Sequence, residues 1–208
     1  MSVLVTDDWL PAALALLVLA ARFAWVAVKG DEAAQSMELR RAWIKRILAA
    51  PGAEILAIQT LRNSMMAATL MATTATLALI GLLSIGHGQM SAPVAAQGWP
   101  HGWLLGGAGV KLLLPLAALA AAIVLFSKAV RLYHRCGYSL GMPHGSSDAA
   151  ELAESAAMFE LTRAATLYRS GWRAFYIAIA TGAWLSSGVI MLVTTAVIVV
   201  IDIAAKIE

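Results

Sequence analysis

Residues 171–201 read GWRAFYIAIATGAWLSSGVIMLVTTAVIVVI, and residues 174–201 carry no charge over 28 positions. At about 1.5 Å per helical residue, that length exceeds the roughly 30 Å hydrocarbon core of a bilayer. The stretch therefore reads as one membrane-spanning helix. Ala174, Ala178, Gly182 and Ser186 recur at every fourth position within it. Small residues in that register let a second helix's backbone come close, so the stripe is expected to be a packing seam.

Composition points the same way. Of the 208 residues 61% are hydrophobic and 13% charged, whereas about a quarter of a soluble domain is charged. The formal net charge is +3, but the basic residues cluster between apolar runs. That pattern speaks for orientation in a membrane and against a nucleic-acid partner. Cys136 is the sole cysteine, which rules out an intrachain disulfide.

Toward the N-terminus, residues 9–28 form an apolar run just long enough to span. Asp7 and Asp8 precede it and Lys29 follows it, the reverse of a secretory signal's charge order. Arg22 sits near the Lys29 end and is expected to snorkel there. Residues 64–86 form a second span, on which Thr69, Thr73 and Thr76 share a face suited to back-bonding or helix packing. Residues 103–127 form a third. The segment between these two, 87–102, has no Lys, Arg, Asp or Glu and reads as a flexible outer loop.

The third span holds Lys111, with Pro115 one turn deeper. A lysine at that depth needs water, a snorkelling route or a carboxylate, since charge at a helix centre costs about 2.5–3.5 kcal/mol on insertion scales. Counting depth from each helix end places Asp202 level with Lys111, so the two are expected to form an intramembrane ion pair.

Two polar connections, 29–63 and 128–173, contain six basic residues each. In the first, Ser36 is a candidate N-cap for a helix with Trp43, Ile44, Ile47 and Leu48 on one side and Arg40, Arg41, Lys45 and Arg46 around the rest. Pro51-Gly52 ends it. In the second, Arg131 and Arg135 continue the basic surface, and Asp148-Ala-Ala-Glu151 has the pattern of a capping box. Both segments are expected to be basic amphipathic helices on anionic lipid. Residues 1–8 and 87–102 contain no Lys or Arg. The positive-inside rule then puts both connections in the cytoplasm and both termini outside.

The expected fold is thus an all-α integral membrane protein, a single domain over residues 1–208 with four transmembrane helices and two cytoplasmic amphipathic helices. Trp9, Trp25, Trp43, Trp99, Trp103 and Trp172 fall at its interfaces, and only Trp184 falls near the midplane. Several short motifs in this frame carry a resemblance: Arg40-Arg41-Ala-Trp43, Leu61-Arg62-Asn63-Ser64, Lys111, Arg131-Leu-Tyr-His134 through Gly141-Met-Pro143, and Gly171-Trp-Arg173-Ala-Phe-Tyr176. Over roughly residues 37–200 the chain resembles the domain of unknown function 599 family of bacterial and plant membrane proteins. The resemblance implies about four spans and no particular activity.

Chemistry is sparse. His134, Cys136 and His144 are weak candidates for metal ligands, because they lack the repeated close pairs of a zinc signature. No phosphate-binding glycine loop, zinc-protease helix or nucleophile elbow occurs, so neither a cofactor nor catalysis is expected. The reading is a non-catalytic scaffold or accessory subunit of a membrane assembly, with anionic lipids and copies of itself or other membrane proteins as partners. The alternative is a small-solute or ion transporter or channel that uses Lys111.

Overall fold

The computed structural model describes residues 8–28, 31–50, 52–97, 107–141 and 147–204. Among the described residues all regular structure is helical: α1 (Trp9–Val28), α2 (Asp31–Ala49), α3 (Glu54–Gln97), α4 (Gly107–Gly141), α5 (Ser147–Ala183) and α6 (Gly188–Ala204). Three helices are long and apolar enough to cross a membrane, over Trp9–Val26, Glu54–Ile85 and Gly109–Gly141.

Some boundaries differ from the sequence expectation. α2 begins at Asp31, five residues before Ser36. α3 runs on through residues 87–97, where a loop is expected. Residues 98–102 of that expected loop lie outside the described residues. Between α2 and α3 the break falls where expected: Gly52 takes a φ of 85°, in the left-handed region open to glycine.

The chain divides into two compact units. One comprises residues 29–74 and 122–172. Its core joins Ile44 and Ile47 of α2 to Ala57 and Leu61 of α3, Tyr133, Cys136 and Leu140 of α4, and Ala157 and Ala164 of α5. The apolar face of α2, expected on lipid, is therefore turned onto protein, and Ile44 is fully buried. The alanines explain why. Ala57, Ala157 and Ala164 lower the surfaces of their helices so that α2 can approach, and protein contact removes its isoleucines from water as well as lipid does.

Gly171 closes the same unit. A Cβ built there lies 2.8 Å from the Phe126 ring, which is fully buried and held edge-on by Tyr168 at 5.6 Å and Trp172 at 6.3 Å. Gly171→Ala is expected to lower stability by about 1–3 kcal/mol through overpacking. The thermal midpoint in detergent measures it, and an unchanged midpoint would mean that the ring relaxes freely.

The other unit, residues 1–28, 75–121 and 173–208, overturns the reading of residues 174–201 as one span. α5 ends at Ala183 and α6 begins at Gly188. Four contacts with α1 give the path between them. Arg173 lies 5.8 Å from the Phe23 ring, Trp184 packs edge-on against Trp9 at 4.8 Å, the Gly188 N–H donates to Asp8 at 2.6 Å, and Asp202 pairs with Arg22 at 2.5 Å. The chain thus runs back along α1 from Phe23 to Trp9, turns over residues 184–187, and returns beside α1 in the opposite direction. It is a helical hairpin, and α6 lies parallel to α1.

The turn is satisfied locally. The Trp184, Leu185 and Ser186 N–H groups donate to the carbonyls of Thr181, Gly182 and Ala183 at 3.1–3.2 Å. The Ser187 Oγ then accepts from the Ile190 N–H at 3.1 Å, as an N-cap does for the first turn of α6. The hairpin also accounts for Trp184, the tryptophan that a straight span leaves near the midplane. The turn brings it level with Trp9, where Ala12, Ala15, Trp184 and Met191 form the buried core of the packing.

Candidate functional site

The turn between α5 and α6 gathers the charge of the apolar unit. Asp8, immediately before α1, accepts from Lys111 Nζ through Oδ2 at 2.5 Å and from the Gly188 N–H through Oδ1 at 2.6 Å. Gly188 opens α6, so the carboxylate also sits at the positive end of that helix. Lys111 Nζ lies 5.5 Å from the centroid of the Trp184 ring, within cation–π range. Gly188 is required here because a Cβ would run into the Asp8 backbone carbonyl. Pro115, one turn beyond Lys111, is fully buried and α4 continues through it.

The expected Lys111–Asp202 pair is thereby corrected: Lys111 is paired with Asp8 and Asp202 with Arg22. The depth argument assumes that the last helix ends level with the start of the third span. The hairpin reverses the chain, which carries Asp202 to the Arg22 end of α1 and leaves Asp8 at the Lys111 end. Sequence reading treats Asp8 as a flanking charge and Arg22 as a snorkelling one. The available signal for their roles was Ser186-Ser187-Gly188, an N-cap sequence set inside an apolar run.

The small-residue stripe is divided by the same turn. Ala174 and Ala178 are buried on α5, but Gly182 has no atom within 4 Å of a built Cβ and Ser186 is exposed in the turn. The close approach in the hairpin is at Gly188. On α3, Thr73 and Thr74 turn inward on their own helix, Thr73 Oγ1 donating to the Thr69 carbonyl at 3.0 Å and Thr74 Oγ1 to that of Leu70 at 2.9 Å.

In the other unit a second polar group forms around Glu160. Its carboxylate is buried, accepting from Ser139 Oγ at 3.1 Å through Oε2 and pairing with Arg135 Nε at 3.1 Å through Oε1. The neighbouring Cys136 is fully buried and its thiol reaches the Ala157 carbonyl at 3.6 Å. His134 is exposed, so the two candidate ligands face different surroundings, and His144 lies outside the described residues. Among the described residues no three His, Cys, Asp or Glu side chains gather as a metal site would need.

Of the basic residues singled out on α2 and α4, Arg41, Lys45, Arg46, Arg131 and Arg135 are exposed and Arg40 is half-buried. Burial, and then the nearby Arg169, lowers the Arg40 guanidinium from its ordinary value. Lys45 pairs with Glu154 at 3.7 Å. An open cleft of about 710 Å³ lies between α2 and α5, with Met37, Arg41 and Lys45 on one wall and Glu151, Phe159 and Arg163 among the residues of the other.

Comparison with known proteins adds one match. The family model described as Protein of unknown function, DUF599, matches residues 9–205, which include the Trp9 end of α1, the hairpin and all the candidate groups above except Asp8. No curated protein and no solved structure matches. With nearly its whole length matched, hairpin included, the chain belongs to the DUF599 family.

Proposed function

We propose that the protein is a non-catalytic integral membrane protein that serves as a scaffold or accessory subunit of a membrane assembly. The observation that carries this reading is the use made of Lys111, Asp8, Arg22 and Asp202. In the apolar unit they are matched with one another across α1, α4 and the hairpin, so their charge is spent on holding helices together. Meanwhile α1 leaves Leu10, Leu14, Leu17 and Trp25 exposed, as a lipid-facing or partner-facing surface does.

We place the protein in a bacterial inner membrane with the basic connections 29–63 and 128–173 in the cytoplasm and the N-terminus outside. The expectation that the C-terminus is also outside depends on an uninterrupted last span. With the hairpin, the turn at 184–187 belongs with Asp8 on the outer side, and Asp202 belongs with Arg22 on the cytoplasmic side. In a Cys136→Ala background, Ala95→Cys is expected to react with an impermeant maleimide in intact cells, and Ala204→Cys only after permeabilisation. Labelling of Ala204→Cys in intact cells would sink this topology.

A second reading is favoured by the break in the last apolar run. In many secondary transporters the N-terminus of an interrupted helix holds the anionic group of the substrate, and here the N-terminus of α6 holds the Asp8 carboxylate, which a substrate carboxylate would have to displace from Gly188 and Lys111. The protein would then be a small-solute or ion transporter that uses Lys111. Purification in mild detergent separates the two. A stoichiometric membrane partner, or a stable complex of several copies, supports the scaffold. A protein purified without partners whose liposomes pass solute, and whose Lys111→Met variant does not, supports transport.

A further inference from the structure

The cleft between α2 and α5 brings exposed apolar side chains together with two arginines that have no carboxylate partner among the described residues. α2 contributes Met37, Arg41 and Lys45 at four-residue spacing, all on one face. α5 contributes a matching face in which Phe159 is 62% exposed and Arg163 lies 5.9 Å from its ring. Water is a poor environment for an exposed phenyl ring and an exposed methionine facing each other across a cleft. A chain-like apolar ligand is a good one.

The charges are unevenly matched. Lys45 and Glu154 answer each other at 3.7 Å, which leaves Arg41 and Arg163 against Glu151, one positive charge in excess. Neither arginine has a carboxylate within ion-pair distance among the described residues. Thr162 also lines the cleft, and its Oγ1 is buried with no hydrogen-bond partner. Two exposed guanidinium forks and an excess of one charge fit a single phosphodiester, whose oxygens accept from both.

We propose that this cleft binds an anionic phospholipid, with the phosphodiester between Arg41 and Arg163 and the glycerol end of the acyl chains over Met37, Met158 and Phe159. This deepens the proposed partnership with anionic lipid: the contact is a site on the protein, not a diffuse attraction to a basic surface. It also gives α2 a function that the burial of its isoleucines leaves open, since its apolar face is used for the core and its second face for lipid.

The test uses the full chain in neutral detergent with phosphatidylcholine or phosphatidylglycerol added. At about tenfold excess over its dissociation constant, phosphatidylglycerol is expected to raise the thermal midpoint about 3–6 °C above the phosphatidylcholine value. Arg41→Gln combined with Arg163→Gln is expected to keep the phosphatidylcholine midpoint, because both side chains are exposed, and to reduce the added shift below about 2 °C by weakening binding at least tenfold. Arg46→Gln combined with Arg131→Gln, outside the cleft, is expected to keep the shift. Equal loss in both pairs would make the attraction diffuse and overturn the site. The same shift from inorganic phosphate in phosphatidylcholine would make the ligand a free anion. A missing shift together with a co-purifying protein lost from the Arg41/Arg163 variant would assign the cleft to a partner helix. The outcome is independent of topology, since the midpoint is read on purified protein in detergent, where the cleft belongs to neither leaflet.

Discussion

Asp8→Asn is expected to destabilise the protein in detergent by about 2–3 kcal/mol, Lys111→Met by a similar amount, and the two together by much less than their sum. The magnitude lies between exposed ion pairs, worth about 0–1 kcal/mol, and fully buried ones, where removing one partner costs about 3–5 kcal/mol. Both side chains here are 23% exposed. Asp8→Asn leaves a lysine beside Trp184 without its counter-charge and weakens the cap on Gly188. Lys111→Met leaves a carboxylate supported by one backbone N–H. The double variant strands neither charge, so the cycle shows a coupling of about 1–2 kcal/mol. Strictly additive losses would show that Asp8 and Lys111 act independently. A parallel cycle of Lys111→Met with Asp202→Asn is expected to be additive, because Asp202 pairs with Arg22 at the other end of α1.

Gly188→Ala is expected to be the most damaging single methyl group added to the hairpin, at about 2–4 kcal/mol. Its Cβ would meet the backbone carbonyl of Asp8. Backbone cannot swing aside as a flexible side chain does, so either the Asp8 segment or the start of α6 must move, and both hydrogen bonds to the Asp8 carboxylate weaken with it. Gly182→Ala, only six positions earlier, is expected to be neutral or to stabilise by up to about 1 kcal/mol. No atom lies within 4 Å of its built Cβ, and alanine favours helix over glycine. Circular dichroism melts of the two variants in one detergent give the comparison directly. A smaller loss at 188 than at 182 would restore the packing seam to the Ala174–Ser186 stripe and remove the hairpin from the account.

Much of this architecture could be read from residues alone. The apolar runs at 9–28, 64–86 and 103–127, the break near Gly52 and the helix start near Asp148 all follow from local properties, because hydropathy, glycine freedom and capping act over a few neighbouring residues. The same locality explains the main failure. Residues 174–201 are apolar enough to span, and hydropathy adds up along a chain without regard to its direction. A turn inside such a run needs only a few backbone groups satisfied, and Ser187 with the tight bonds at 184–186 does that. Ser186-Ser187-Gly188 carried the signal, but three residues weigh little against 28 uncharged ones.

The sequence by itself determined that the chain is helical, that it carries apolar runs at 9–28, 64–86 and 103–127, each long enough to cross a membrane, and that Lys111 and Asp202 need partners. Tertiary structure decided which partner each receives. Lys111 pairs with Asp8 and Asp202 with Arg22 because the hairpin reverses the chain beside α1. Likewise, α2 turns Ile44 onto protein because three alanine-bearing helices are brought around it. Electrostatic attraction falls off with distance and apolar burial requires contact, so both depend on which distant segments meet, and no local pattern in the chain encodes that.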